Sequence, residues 1–158
     1  MEPGKFELTH RIDAAPDIVY DVVTDPAHIK RWWNVDADVE PTAGSVGVMT
    51  WDRANGEKEV APVRVVEALP GRRFSFWWIA PPASGTTTGA ELDETNAILV
   101  TFEIEPDGSG TLLTVTEQGM RELGWEAALL ERYLDGHGQG WQVLLPRIAE
   151  LADGMVVR

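Results

Sequence analysis

The last third of the chain carries the clearest hydrophobic pattern. From Trp141 onward, apolar residues recur at offsets of three, four, seven, ten and eleven, which is one face of an α-helix. The stripe consists of Trp141, Leu144, Leu145, Ile148, Leu151 and Ala152. Glycines at 136, 138 and 140 are expected to weaken the start of this helix, and Pro146 to bend it.

Earlier segments alternate apolar and polar residues with the period of two that is typical of a half-buried strand. One such strand covers the segment from Phe6 to Ile12. A meander of three strands follows further along, at 46–51, 57–69 and 73–79, with turn residues between them. A hairpin is predicted from strands at 98–105 and 111–117, joined by Pro106-Asp107-Gly108-Ser109-Gly110.

Two short helices are predicted after the first strand. Pro16 suits the first turn of one helix, and Asp25-Pro26 both ends it and begins another, with Asp25 as its cap. The second helix is expected to end near Trp32 and Trp33. Between the meander and the hairpin, residues 81–95 lack periodicity, and this segment is interpreted either as a mobile lid or as a surface insertion of no consequence.

Length and composition limit the classes of function. The 158 residues suit a single domain spanning the whole chain, 1–158. The formal charge is −13, from 13 basic and 26 acidic residues, which disfavours nucleic-acid binding. There is no cysteine. The N-terminus does not resemble a signal peptide, and no segment is long and apolar enough for membrane insertion, so a cytoplasmic protein is expected.

Motifs for enzymatic chemistry are largely missing. We find no nucleophile elbow, phosphate-binding loop or dinucleotide fingerprint, and the three histidines have no second ligand at metal spacing. Neither a metal nor another cofactor is therefore expected. His10 and Glu117 both have the parity that points to the apolar side of their strands, so they are candidate polar groups of a pocket and alternative acid/base residues. Solvated or ion-paired positions at strand ends are the other interpretation of this pair.

Aromatic residues offer a stronger indication, because seven tryptophans fall at strand ends, helix ends and on the last helix. Broad apolar side chains with one donor are typical of small-ligand sites, although plain core packing explains them equally well. Trp77 has the opposite parity to Trp78, and with Leu99 it is a candidate patch for a homodimer contact on the outer sheet face. The predicted ligand-binding residues are Trp33, Trp51, Phe76, Trp78, Phe102, Met120, Trp141 and Leu145.

Several local motifs together resemble one known family. They include Arg11-Ile12-Asp13-Ala14-Ala15-Pro16, Val23-Thr24-Asp25-Pro26, Lys30-Arg31-Trp32-Trp33, Arg73-Phe74-Ser75-Phe76-Trp77-Trp78 and His137-Gly138-Gln139-Gly140-Trp141. The chain thereby resembles the START/Bet v 1-like (SRPBCC) superfamily and, within it, the homologues of the Hsp90 ATPase activator. It departs from that pattern in the long 81–95 segment and in the strand before Trp51.

This resemblance implies an α+β helix-grip fold, with a curved antiparallel sheet of six to seven strands around a long C-terminal helix and two short helices after strand 1. It also implies a cavity between sheet and helix. The leading hypothesis is a non-enzymatic protein that binds a small hydrophobic ligand, lipid-like, aromatic or polyketide-like. The alternatives are an enzyme of cyclase, hydrolase or dehydratase type using His10 and Glu117, and a partner-binding module for a chaperone.

Overall fold

A computed structural model describes residues 5–52, 56–79, 97–118 and 127–156. The strands are β1 (Lys5–Ile12), β2 (Asp36–Asp38), β3 (Val46–Asp52), β4 (Lys58–Leu69), β5 (Arg73–Ile79), β6 (Ala97–Asp107) and β7 (Gly110–Gln118). The helices are α1 (Pro16–Thr24), α2 (Pro26–Trp33) and α3 (Ala127–Gly154). The segment at 81–95 and the side chains of Met120 and His137 lie outside the described residues.

The seven strands form one antiparallel sheet in the order β1-β7-β6-β5-β4-β3-β2. The hairpin of β6 and β7 and the meander of β3, β4 and β5 are confirmed. Strand β2 was not predicted, because three residues are too few to show an alternating pattern. It lies close beside β3 at Gly47, where an added Cβ would come within 2.0 Å of the Asp38 carbonyl oxygen.

Helices α1 and α2 are separated by a single residue that serves both of them. The carboxylate of Asp25 accepts a hydrogen bond from the Ala27 N–H at 2.8 Å, and the Asp25 N–H donates to the Asp21 carbonyl. Pro16 occupies the first turn of α1 as predicted. At its other end, α2 stops directly after Trp33, since Asn34 adopts a left-handed conformation with φ 61°.

The long helix α3 packs against β1, α1 and α2. Its predicted stripe is confirmed, because Trp141, Leu145, Ile148 and Ala152 are all buried. The helix begins at Ala127, well before the glycines that were expected to mark its weak start. Favourable packing further along the helix offsets the local cost of glycine, which is about 1 kcal/mol per residue relative to alanine.

The two faces of the sheet are chemically distinct. Its inner face, which meets the helices, carries the apolar core of Ile98, Val100, Leu113, Val115 and their neighbours. The outer face carries threonines and charged side chains. A bulge between Val65 and Glu67 in β4 shifts the register there, and such bulges bend the strand that contains them.

Candidate functional site

One end of the inner face is occupied by a continuous group of aromatic rings, which we call the aromatic cluster. Strand β5 contributes three of them, since Phe74, Phe76 and Trp78 alternate toward the helices. Strands β3 and β6 and helices α2 and α3 provide the others. The aromatic cluster consists of Trp32, Trp33, Trp51, Phe74, Phe76, Trp78, Phe102 and Trp141.

Trp33 lies at the centre of the aromatic cluster. Its ring stacks on Trp32 with centroids 5.2 Å apart and planes 9° from parallel. The centroids of Trp78 and Trp141 each lie 5.6 Å from it. Trp51 extends the group at the β3 side, 6.4 Å from Trp78. These separations fall within the range of favourable aromatic pairs.

Burial divides the aromatic cluster into a base and a rim. Phe76, Phe102 and Trp141 are 1%, 1% and 3% exposed, and Phe102 meets Trp141 edge-on at 5.7 Å. The side chains of Trp33, Trp51 and Trp78 are only half-buried. The buried rings, which form the base, therefore belong to the core. The three half-buried tryptophans, which form the rim, keep part of their apolar surface exposed to solvent.

Polar atoms in the aromatic cluster differ in how they are satisfied. The Trp32 indole N–H donates to the Val22 carbonyl oxygen at 2.7 Å, which ties α2 to α1. The Trp78 indole nitrogen is buried and has no hydrogen-bond partner among the described residues. The side chain of Glu59 is 4% exposed and lies opposite Trp51 in the pairing of β3 with β4. A buried carboxylate thus stands at the edge of the rim.

Of the eight predicted ligand-binding residues, six meet in the aromatic cluster. Leu145 is 1% exposed and lies in the adjoining core one helical turn beyond Trp141, whereas Met120 lies outside the described residues. Sequence reasoning missed Trp32 and Phe74. Phe74 has the same parity as Phe76 and Trp78, and Trp32 follows Ile29 at helical spacing, so both signals were present.

Tyr20 of α1 borders the aromatic cluster at its buried end. Its ring meets Phe74 edge-on at 6.4 Å. Burial raises the pKa of the Tyr20 hydroxyl above its ordinary value, and the neighbouring Asp21 carboxylate adds to the shift. The hydroxyl therefore stays neutral over a wider pH range than a solvated tyrosine.

His10 and Glu117 do point to the same inner face, but they do not meet. In the pairing of β1 with β7, Glu117 lies opposite Phe6 and His10 lies opposite Leu113. Four residues of strand therefore separate them, roughly 13 Å at 3.3 Å per residue. Glu117 is fully buried and His10 is half-buried. Direct proton transfer between the two side chains does not fit this spacing.

The sequence profile of one family matches residues 13–153, nearly the whole chain. That family is described as "Activator of Hsp90 ATPase homolog 1-like protein". The chain belongs to this family. The resemblance expected from the motifs is thereby confirmed. No match is found among the curated proteins.

Solved structures share the fold over almost the full length of the chain. MLL2253 from Mesorhizobium loti is 20% identical with a TM-score of 0.70, covering 97% of this chain and 99% of that protein. CalU16 from Micromonospora echinospora is 19% identical with a TM-score of 0.60, covering 92% of this chain and 76% of that one. At these identities the likeness establishes the helix-grip fold, as expected from the sequence.

A third fold relative is DynU16, a protein of the dynemicin biosynthetic locus. It is 18% identical with a TM-score of 0.67, over 96% of this chain and 48% of DynU16. The chain thus spans about half the length of that relative.

The described residues of this chain were also compared with the requirements of membrane-spanning helices and of metal sites. None of its helices there combines the length and hydropathy that crossing a bilayer requires. Within the same ranges, no three side chains of the histidine or acidic type come together in a way that could hold a metal ion.

Proposed function

We propose that this protein binds a small hydrophobic molecule, lipid-like, aromatic or polyketide-like, at the aromatic cluster, and that it does so without catalysing a reaction. One observation carries the proposal: Trp33, Trp51 and Trp78 converge on the inner face and remain half-buried. Clustered apolar rings with a few polar groups are the usual lining of small-molecule sites.

The remaining predicted residues have supporting roles in this proposal. The rim tryptophans pack on a buried layer of the core that holds them in place. This layer consists of Phe76, Phe102, Trp141 and Leu145. Met120 is proposed as a lining residue from the sequence alone. Because the rings are already packed against one another, little side-chain ordering accompanies binding, and preorganisation of this kind favours affinity.

The size of the apolar contact sets the expected affinity. Burying roughly 200–300 Å² of ligand surface contributes about 5–7 kcal/mol at 25 cal/mol per Å². Before the cost of association is subtracted, that gross energy corresponds to a dissociation constant of roughly 7–200 μM for a two-ring compound. Larger ligands that reach further along the inner face would bind more tightly.

One fold relative, DynU16, supports a small organic molecule as the class of ligand. DynU16 comes from a biosynthetic locus, a setting in which small organic molecules are made. The separation of His10 from Glu117 gives an acid/base enzyme no comparable support. A non-enzymatic binder is therefore the function proposed.

Adjacent tryptophans on opposite faces of β5 provide the test. The protein is titrated with apolar dyes and a panel of hydrophobic metabolites while its intrinsic fluorescence is followed. We expect Trp78→Leu to weaken binding by about fivefold or more, because it removes rim contact area. Trp77→Leu, the matched control on the outer face, should stay within about twofold of the unmodified protein.

Two results would contradict the proposal. One is the absence of any saturable fluorescence change with every compound tested. The other is equal weakening by the two leucine variants, since a ligand at the aromatic cluster distinguishes the inner face from the outer one.

A further inference from the structure

The Trp78 indole nitrogen is an exception within the aromatic cluster. It is buried and has no hydrogen-bond partner among the described residues. Trp32, which contacts the same Trp33 ring, shows the usual arrangement, with its indole N–H bonded to a carbonyl at 2.7 Å. Buried donors are nearly always paired, so a donor left alone calls for an explanation.

The surroundings of Trp78 explain why the chain itself supplies no acceptor. Its ring is flanked by Trp33, Trp51 and Phe76, whose centroids lie 5.6, 6.4 and 6.4 Å away. Across the sheet it is paired with Val63 on one side and Ile98 on the other. All five side chains are apolar or aromatic, and none carries an oxygen.

Among the described residues, two buried carboxylates lie on this face, and neither is paired with Trp78 across the sheet. Glu117 lies opposite Val100, two residues along β6 from Ile98. Glu59 precedes Val63 by four residues on β4, which is roughly 13 Å of strand. The Trp78 N–H therefore stands in an apolar surrounding at a half-buried rim. An acceptor brought in by a ligand would find there a donor that no other described group uses.

We infer that Trp78 selects the ligand by donating this hydrogen bond to a carbonyl or phenolic oxygen on an aromatic or polyketide-like molecule. This inference rests on the proposed function and narrows it. A plain hydrocarbon or an alkyl chain gains only contact area at the rim. An oxygenated aromatic gains the same area and a hydrogen bond in a setting that excludes water.

Selectivity of this kind is a property of the donor and not of the ring. A site that hydrogen-bonds its ligand discriminates against an analogue lacking the acceptor. Trp78 is accordingly assigned as a specificity-determining residue, whereas Trp33 and Trp51 provide apolar area.

The experiment uses two probes of nearly equal shape, acetylnaphthalene and isopropenylnaphthalene, which differ by an oxygen in place of a methylene. Dissociation constants for both are measured with the full chain and with Trp78→Phe, which keeps an aromatic ring and removes the donor. The ratio of the two constants is compared between proteins, because this comparison cancels the greater hydrophobicity of the hydrocarbon. We expect the preference for the ketone to fall by about fivefold in Trp78→Phe.

Trp51→Phe is the matched control. Trp51 belongs to the same rim, and its indole nitrogen is not among the buried unpartnered atoms. This variant should weaken both probes alike and leave their ratio within about twofold of the unmodified protein.

A measurement on the unmodified protein covers the case in which Trp78→Phe fails to fold. The indole N–H resonance of Trp78 should move downfield on addition of the ketone and not on addition of the hydrocarbon. If the resonance responds equally to both probes, the N–H is satisfied by water or by a ring face, and the inference is overturned.

The outcomes also separate the inference from the function on which it rests. If both probes bind and the ratio is unchanged in Trp78→Phe, the selectivity assigned to Trp78 is wrong and the proposed function survives. If neither probe binds the unmodified protein, the proposed function and the inference are both overturned.

Discussion

The inner and outer faces of the sheet come from the same strands, yet they are built on different chemistry. On β5, Phe76 and Trp78 point inward to other rings, whereas Arg73 points outward and contacts Glu103 at 2.7 Å and Glu67 at 3.3 Å. The outer face holds an open groove of about 450 Å³ whose lining is mostly hydroxyl and charged groups. Among the described residues, converging aromatic surface is found on the inner face and not on the outer one.

This difference shows where mutation should matter for stability and where for binding. Contacts on the inner face exclude water and depend on close fit, so their loss is costly. Contacts on the outer face compete with solvent and contribute little each. Paired substitutions on neighbouring residues of one strand can test that contrast directly.

The largest contrast is expected on β6. Phe102→Ala removes a ring that is 1% exposed and contacts both Trp32 and Trp141. We expect the free energy of unfolding to fall by about 3–5 kcal/mol. Thr101→Ala, one residue away on the outer face, should change it by no more than about 0.5 kcal/mol. Denaturant unfolding of both variants measures the difference, and comparable losses would remove the distinction between the faces.

A smaller contrast is expected between two hydroxyls of β7. The Thr111 hydroxyl is fully buried and donates to the Ala14 carbonyl oxygen at 2.6 Å. Thr111→Val leaves that carbonyl without its donor and should cost about 1–2 kcal/mol of unfolding free energy. The Thr114 hydroxyl shares an exposed bond with Thr9 at 2.9 Å, so Thr114→Val should cost less than about 0.5 kcal/mol. Thermal and denaturant unfolding measure both losses. A larger loss in Thr114→Val than in Thr111→Val would contradict the prediction.

Ion pairing on the outer face should contribute less again. Arg73 is 40% exposed and shared by Glu67 and Glu103. Arg73→Gln should lower the free energy of unfolding by about 0.5–1 kcal/mol in dilute buffer, with most of that loss absent in about 1 M salt. The loss caused by Phe102→Ala should persist at both salt concentrations. A loss in Arg73→Gln that salt does not diminish would show that its packing matters more than its charge.

Among these substitutions, Tyr20→Phe should change the free energy of unfolding least at neutral pH. Its effect on stability should become measurable only at alkaline pH. The pKa of the Tyr20 hydroxyl is raised in the folded state above the ordinary value of 10.0, mainly by burial. The unfolded chain therefore loses this proton first, and stability is lost as the pH rises from about 10 through the folded pKa. Tyr20→Phe should flatten that decline while leaving the slope at lower pH unchanged. Denaturant unfolding measured across this pH range tests the prediction. An equal alkaline decline in Tyr20→Phe and the unmodified protein would contradict it.

Much of the fold could be predicted because its signals are local. Parity along β5 identified Phe76 and Trp78 as inward and Trp77 as outward, and the double role of Asp25 followed from the residue before a proline. The α3 stripe followed from helical spacing. These features depend on a few consecutive residues, and side-chain direction repeats with the period of the element.

The candidate site was predicted less completely, because its geometry depends on long-range registers. Trp32 is buried against Phe102 and Trp141 whereas its neighbour Trp33 is half-buried, and this difference depends on how α2 packs against the sheet and α3. His10 and Glu117 share a parity, but only the pairing of β1 with β7 shows that they are four residues out of step. The homodimer through the outer face and the role of residues 81–95 stay predictions.

By itself, the sequence determined which residues of the longer strands face inward, how the elements other than β2 follow one another and that the inner face is rich in indole rings. The tertiary structure alone decided which of those rings meet, which remain half-buried and which indole N–H finds an acceptor. The physical reason is that side-chain direction is set by local backbone periodicity. Contacts between distant segments depend instead on strand register and helix placement, which follow from packing the whole chain.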